Sequence, residues 1–393
     1  MRLKFTDEQE MLRNTVRDFA EKEVAPMAYE LDRDEGFPLE NLKKIGKLGL
    51  IGVIIPEEYG GSGSGNYVDI AIVSEELAKV CLVTSVAYTT HASVVADNIR
   101  RNGTTEQKKK YLPSLCDATK IGGVAITEPS AGSDATSIKL RADKRGDSYV
   151  MNGTKTFITN ATVGDFFLVY AKTDASKGPN GITAFVVEKG MPGFSSGKKF
   201  EKLGWRGSPT GELIFEDCIV PKTHLLGREN KGVQVLMSGL NTERIGVAAM
   251  ALGLARGAFE FALKYSKDRV QFGKPISAFQ MIREKLANMA MEIELSKLIV
   301  YNSAALASEI AIDDPELTSG KQVSEINLAA SYAKLFTSEV VNQVTYEAIQ
   351  ILGGYGYIKE FPIERMWRDA RLFTIGAGTS EIQRMIIATE IIK

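Results

Sequence analysis

The rhythm of apolar positions divides the chain into three stretches. In residues 1–120 apolar side chains recur every three or four positions, as Met11, Leu12, Val16 and Phe19 do, which predicts amphipathic helices. Thr6 followed by Gln9 reads as the capping box that opens the first of them. Residues 70–80 and 83–101 are apolar on nearly every side and predict buried helices. The intervening PEEYGGSGSGN, residues 56–66, reads as a flexible connector.

From 121 to 232 the rhythm changes to alternation, with strands predicted at 165–172, 182–188 and 212–220. The segment SYVMNGTKTFITNA has alternating runs on both sides of Asn152-Gly153, the pattern of a hairpin with a type I′ turn. Seven or eight short strands are expected here. From 233 to 393 the helical spacing returns. Residues 242–267, 278–312 and 321–352 are long enough for antiparallel bundle helices, with Pro275 and Pro315 at the breaks and a turn at Asp313-Asp314-Pro315. The fold class is therefore α+β: a helical domain (1–120), a β-domain (121–232) and a helical domain (233–393).

At 393 residues the chain exceeds a single core, in keeping with this division. A net charge of −1 argues against electrostatic capture of nucleic acid or an anionic membrane, so an anionic ligand must be held by local groups. Cys81, Cys116 and Cys218 are odd in number and far apart, which fits a reducing compartment rather than a disulfide framework. His91 and His224 are too few and too separated for a zinc cluster, and no metal is expected. The N-terminus lacks the apolar core of a signal peptide and is too acidic for a transit peptide. The apolar stretch near 245–255 is too short to span a bilayer. The expected location is the cytoplasm of a prokaryote, or an organelle matrix after processing.

Five motifs carry candidate chemistry. ITEPSAGSD, residues 126–134, offers hydroxyls at Thr127 and Ser133 and free backbone N–H groups for ring oxygens or a phosphate; taken alone, such a Ser- and Gly-rich segment is usually just an ordinary loop. In KTFITNA, residues 155–161, alternation puts the Phe157 ring and the Thr159 hydroxyl on one face, which also describes a core Phe beside a surface Thr. In RVQFGK, residues 269–274, Arg269 suits a phosphate and Phe272 an adenine, although a cation at a helix end also answers the helix dipole. The glycines of QILGGYG, residues 350–356, permit close backbone approach or simply cap a helix. In RMWRDARLFTIGAGTSEIQR, residues 365–384, Gly376, Ala377 and Gly378 form a bare turn, Thr379 the N-cap of the last helix, and Glu381 its first turn.

In this order along the whole chain, the five motifs resemble the acyl-CoA dehydrogenase family, most closely its isovaleryl-CoA and short-branched-chain branch. The resemblance implies a β-barrel-like middle domain, a C-terminal four-helix bundle and an FAD cofactor. It implies α-proton abstraction from an acyl-CoA, β-hydride transfer to flavin N5, and electron delivery to electron-transfer flavoprotein. Ile126, Thr127, Ser133, Phe157 and Thr159 match positions around the flavin, and Thr379 and Glu381 positions near its phosphates and ribose. Arg269, Phe272, Gln280, Gln350, Gly353 and Gly354 match residues that reach the FAD of a neighbouring subunit, which implies a homotetramer, a dimer of dimers.

Many members carry their catalytic glutamate where this chain has Ala377. Glu243, in the Asn241–Arg244 segment that opens the predicted long helix, matches the alternative base position of the isovaleryl and long-chain branches. The backbone N–H of Ala377 keeps its implied role as donor to the thioester carbonyl. Ser133, Arg244, Gly376, Ser85 and His91 match substrate positions, although His91 reads at least as well as a satisfied buried histidine; Asp97 reads as a surface ion pair in preference to a polar pocket residue. The small Gly376 and Ala377 favour a short branched acyl group such as isovaleryl. The alternative is a cyclic, aromatic or dicarboxylic acyl-CoA of anaerobic degradation; Ser85 stands where a glutaryl-type enzyme would offer an arginine. A flavin monooxygenase or nitroalkane-type oxidase would need oxygen access and, for the oxidase, typically an aspartate base. A non-enzymatic CoA-binding protein would not reduce its flavin.

Overall fold

The structure, a computed structural model, describes residues 4–310 and 321–393. The predicted Asp313–Pro315 turn lies outside the described residues, as does the predicted helix end at 312. The N-terminal helices are α1 (Asp7–Phe19), α2 (Ala28–Arg33), α3 (Leu39–Lys47), α4 (Tyr67–Val80), α5 (Leu82–Thr89), α6 (Asp97–Asn102) and α7 (Thr105–Cys116). The predicted capping box forms: Thr6 Oγ1 accepts the Gln9 N–H at 3.2 Å, and Gln9 Oε1 accepts the Thr6 N–H at 3.2 Å. A π-helical segment, Thr90–Ala96, joins α5 to α6.

Eight strands follow: β1 (Gly122–Ala125), β2 (Arg141–Arg145), β3 (Ser148–Thr159), β4 (Phe166–Lys172), β5 (Ile182–Glu188), β6 (Phe194–Lys199), β7 (Thr210–Pro221) and β8 (Leu225–Leu226). They form one sheet in the order β6-β7-β3-β2-β4-β5-β8, with β1 parallel to β4. Strand alternation divides the burial. Phe166, Leu168 and Tyr170 pack toward the helices, while Phe167, Val169 and Ala171 face a second core within the β region.

One predicted turn is corrected. Asn152-Gly153 does not close a hairpin; β3 runs through it as a single strand paired with β7, and the register shifts between Met151 and Gly153. The extra residue lies on β7, where Asp217 takes φ 49° opposite Asn152, so β3 keeps its inward alternation through Tyr149, Met151 and Lys155. The tight connection instead lies between Arg145 and Ser148, with Gly146 at φ 59°.

The C-terminal helices are α8 (Gly232–Asp268), α9 (Gln280–Glu309), α10 (Lys321–Leu352), α11 (Ile363–Ala370) and α12 (Ser380–Ile392). A small hairpin, β9 (Val270–Gln271) with β10 (Lys274–Pro275), separates α8 from α9. A second correction concerns α8. It begins at Gly232, so Asn241–Arg244 lies inside the helix rather than at its start. Local propensity is overruled there by packing: a side chain at Gly239 would collide with Asn98, and one at Gly246 with Thr89. Among the described residues α8 is the helix long and apolar enough to cross a membrane, but it is mostly buried as the centre of the bundle.

Candidate active site

The turn of α8 that carries Glu243 is fastened to α6. Thr242 donates its hydroxyl to Asp97 at 3.2 Å and accepts from Arg101 at 3.3 Å. Asp97 is fully buried and paired with Arg100 at 2.7 Å and Arg101 at 2.8 Å. The expected ion pair exists, but it is internal: it spans α6 and reaches the helix that bears the candidate base. Arg244 is 7% exposed and donates to Asn241 Oδ1 at 3.0 Å, while its buried Nε has no partner.

Glu243 is half-buried by exposed area, with protein crowded around it. Burial raises its carboxyl pKa above the ordinary value, against the pull of Arg244 and Lys334. Tyr170, 1% exposed on β4, feels the same carboxylate. Its phenol is held well above the usual range, first by burial and then by Glu243.

Lys334, fully buried on α10, links this region to the bare turn before α12. Its Nζ donates to the Gly378 carbonyl at 2.6 Å. Gln383 Nε2 adds bonds to the Ala377 and Gly378 carbonyls, both at 3.2 Å. Ala377 has φ 53° and Gly378 φ 82°. For an alanine this left-handed conformation costs roughly 1–2 kcal/mol, so surrounding contacts must hold it. With the carbonyls pinned, the Ala377 N–H donates to nothing among the described residues. Thr379 caps α12, accepting the Ile382 N–H at 3.2 Å, and Glu381 occupies the first turn.

The 126–134 loop is held from behind by Lys155, whose Nζ donates to the Ile126 carbonyl and to Glu128, both at 2.8 Å. Ile126 and Thr127 are half-buried and Ser133 is exposed. Phe157 sits at a bulge in β3 with φ 56°, 66% exposed, its ring 5.1 Å from that of Phe200. It is not a core Phe. Thr159, two residues on, is half-buried.

Arg269, Phe272, Gln280, Gln350, Gly353 and Gly354 are all exposed. Arg269 lies over the Tyr355 ring at 5.5 Å, and Phe272, at the hairpin tip, is 93% exposed. This group belongs to the other end of the bundle. Gln350 is sixteen residues beyond Lys334 on the same helix, about 24 Å along its axis.

Two predicted substrate residues turn inward. Ser85 is fully buried and donates to the Ser74 carbonyl at 2.7 Å. His91 is fully buried, with Nδ1 2.9 Å from the Ala87 carbonyl. Burial holds its pKa below the ordinary value despite the Ala87 and Lys120 carbonyls. The buried His91 Nε2 has no hydrogen-bond partner, and Gly376 lies in the bare turn, where an added Cβ would meet only Leu372 at ordinary contact distance.

Three family models match in succession: the acyl-CoA dehydrogenase N-terminal domain over residues 6–119, its middle domain over 123–218 and its C-terminal domain over 230–392. The short-chain-specific acyl-CoA dehydrogenase of Clostridium acetobutylicum is 45% identical over 394 residues, covering 100% of both chains. The chain belongs to the acyl-CoA dehydrogenase family.

Acyl-CoA dehydrogenases are FAD-dependent oxidoreductases, and this chain shares their three-domain fold. The mitochondrial isovaleryl-CoA dehydrogenase of Pongo abelii is 44% identical over 386 residues, covering 97% of this chain and 88% of that one. A chain in a solved structure described as the electron transferring flavoprotein of Acidaminococcus fermentans is 41% identical, with a TM-score of 0.94 and full coverage of both chains. The residues present suit FAD. Ser380 Oγ and Gln383 Oε1, at the start of α12, are buried polar atoms without a partner, and the exposed Phe157 ring offers a flat apolar face. Among the described residues no cluster suits a metal ion.

Sequence reasoning missed Lys334, Tyr170 and the Lys155–Glu128 pair. Lys334 did leave a signal. It falls on the same stripe as the buried Ala330, Thr337 and Val341, where a cation is out of place.

Proposed function

We propose that this acyl-CoA dehydrogenase oxidises a short branched acyl-CoA of the isovaleryl type, with Glu243 as the base. The observation that carries this reading is the pairing of a carboxyl raised by burial with a turn whose Ala377 N–H is unpartnered. An α-proton beside a thioester is weakly acidic, and a base poised toward neutrality, in a site low in water, is what its removal requires. Glu243 takes that proton onto a carboxylate oxygen. The Ala377 N–H donates to the thioester oxygen as negative charge develops there. Arg244 and Ser133 would contact the CoA portion. Bound FAD would supply the acceptor for the hydride of the β carbon. Ile126, Thr127, Phe157 and Thr159 would frame its ring, with Thr379 and Glu381 beside its phosphate and ribose portion.

The small Gly376 and Ala377 leave room beside Cα–Cβ, which supports a branched group over a longer straight one. Anaerobic mixing with isovaleryl-, isobutyryl-, butyryl-, glutaryl- and cyclic acyl-CoAs tests this by flavin bleaching. Absence of bleaching by both branched thioesters would remove the branched assignment.

The exposed set at the far end of α10 suits contact with the FAD of a second copy, which supports a homo-oligomer, and the proposed form is a homotetramer. Exposed Met281, Met291 and Leu295 on α9 and Met385 on α12 supply apolar surface for assembly. Electron-transfer flavoprotein is the proposed acceptor. A cytoplasmic or organelle-matrix setting is supported by three buried, unpaired cysteines.

A further inference from the structure

We propose that Lys334 is a positioning residue for the dehydrogenation: from the buried face of α10 it fixes the Ala377–Gly378 turn and presents a positive charge toward Glu243. The inference rests on the assignments of Glu243 as base and of the Ala377 N–H as carbonyl donor.

A buried ammonium is costly unless it is paired. Lys334 is fully buried, and among the described residues no carboxylate comes within ion-pair distance of it. Its hydrogen bond goes to a backbone carbonyl, that of Gly378 at 2.6 Å. This bond carries a specific consequence. Ala377 and Gly378 both adopt the left-handed region, and a lone alanine there relaxes unless it is restrained. Lys334 and Gln383 grip the carbonyl side of the turn, which leaves the Ala377 N–H free to face a ligand.

The charge has a consequence too. The ionisable groups that face Lys334 are Glu243 and Arg244 from α8 and Glu381 from α12. Those that face Glu243 are Arg244, Lys334 and, from β4, Tyr170. Burial and Arg244 push the Lys334 pKa down to about 8, against the two carboxylates. It therefore stays largely protonated near neutrality and opposes the burial that raises the carboxyl of Glu243.

The test is Lys334→Met in the FAD-loaded enzyme, with Lys334→Arg as the charge-retaining variant and Lys334→Gln as a further neutral one should the methionine variant not fold. The first readout is binding alone: calorimetric Kd values for the enoyl-CoA product and for a CoA thioether of the same chain without the carbonyl. The wild type prefers the thioester, and the neutral variants lose about tenfold of that preference, the worth of one hydrogen bond to its carbonyl. The second readout is the acid limb of kcat/KM. Loss of a neighbouring positive charge moves that limb upward by about one pH unit in the neutral variants, and Lys334→Arg keeps it in place. An unchanged preference together with an unmoved limb in a folded, FAD-containing neutral variant overturns the proposal, even if kcat falls. Turnover retained by Glu243→Gln would instead overturn the base assignment, while the binding comparison would still test the hold of Lys334 on the turn.

Discussion

Lys155 and Glu128 meet at 2.8 Å behind the 126–134 loop, with side chains 0% and 4% exposed. Glu128 also accepts the backbone N–H groups of Lys139 at 2.6 Å and Leu140 at 2.9 Å, so one buried carboxylate joins three segments. Breaking such a pair from one side strands a charge and typically costs about 3–5 kcal/mol. Lys155→Met is therefore expected to lower the unfolding free energy by about that amount in denaturant titrations and to release FAD from the purified protein. Retention of both would show that the pair does not hold the loop.

Asp369 gives stability a pH dependence. It accepts the Trp205 N–H at 2.6 Å, and burial pushes its pKa up to about 7. A raised carboxyl binds its proton more tightly when folded, so folding gains as pH falls through 7 toward the unfolded value near 4. The melting temperature of Asp369→Asn is expected to vary less than that of the wild type between pH 8 and 5. The variant gains most at pH 8, because Asn still accepts the Trp205 N–H without burying a charge. Parallel curves for the two proteins would contradict this.

Phe272 separates assembly from folding. At 93% exposed it contributes little to the single chain, so Phe272→Ala should leave chain stability within about 0.5 kcal/mol. If the hairpin reaches a second copy, the same variant lowers the sedimentation coefficient or loosens FAD at low protein concentration. An unchanged assembly with full FAD content would remove the hairpin from the interface.

Gly376 bears on substrate choice. An added Cβ finds only ordinary contact with Leu372, so a larger residue is accommodated without backbone strain. Gly376→Phe is expected to lower kcat/KM for a branched thioester by about 10–100-fold and to affect a straight chain less, as filling a pocket by a few carbons does. Equal losses on both would show that the turn does not line the acyl pocket.

The three-stretch architecture was legible because each stretch buries one face of its elements, and that burial imposes a period of 3.6 or of 2. The strands at 166–172 and 182–188 appear within a residue of their predicted limits. The Asn152-Gly153 turn and the start of α8 were not legible. Asn-Gly at a bulge is chemically the same as Asn-Gly at a hairpin tip, and glycines that serve helix contact look like helix breakers. In the site, Glu243 and the bare turn could be read from motif order. Their connection through Lys334 could not, since it depends on which turns of α8, α10 and α12 lie side by side. The hydrogen bonds of Ser85 and His91 were not legible for a related reason: spacing identifies the helix but not the carbonyl that captures each polar group.

The central claim is that Glu243 removes the α-proton. Glu243→Gln keeps the shape and removes the base, so the direct measurement is anaerobic stopped-flow bleaching of the FAD-loaded variant by its best acyl-CoA substrate. Bleaching is expected to slow by about 10²–10⁴-fold, with FAD content and product affinity unchanged. Bleaching at close to the wild-type rate would contradict it.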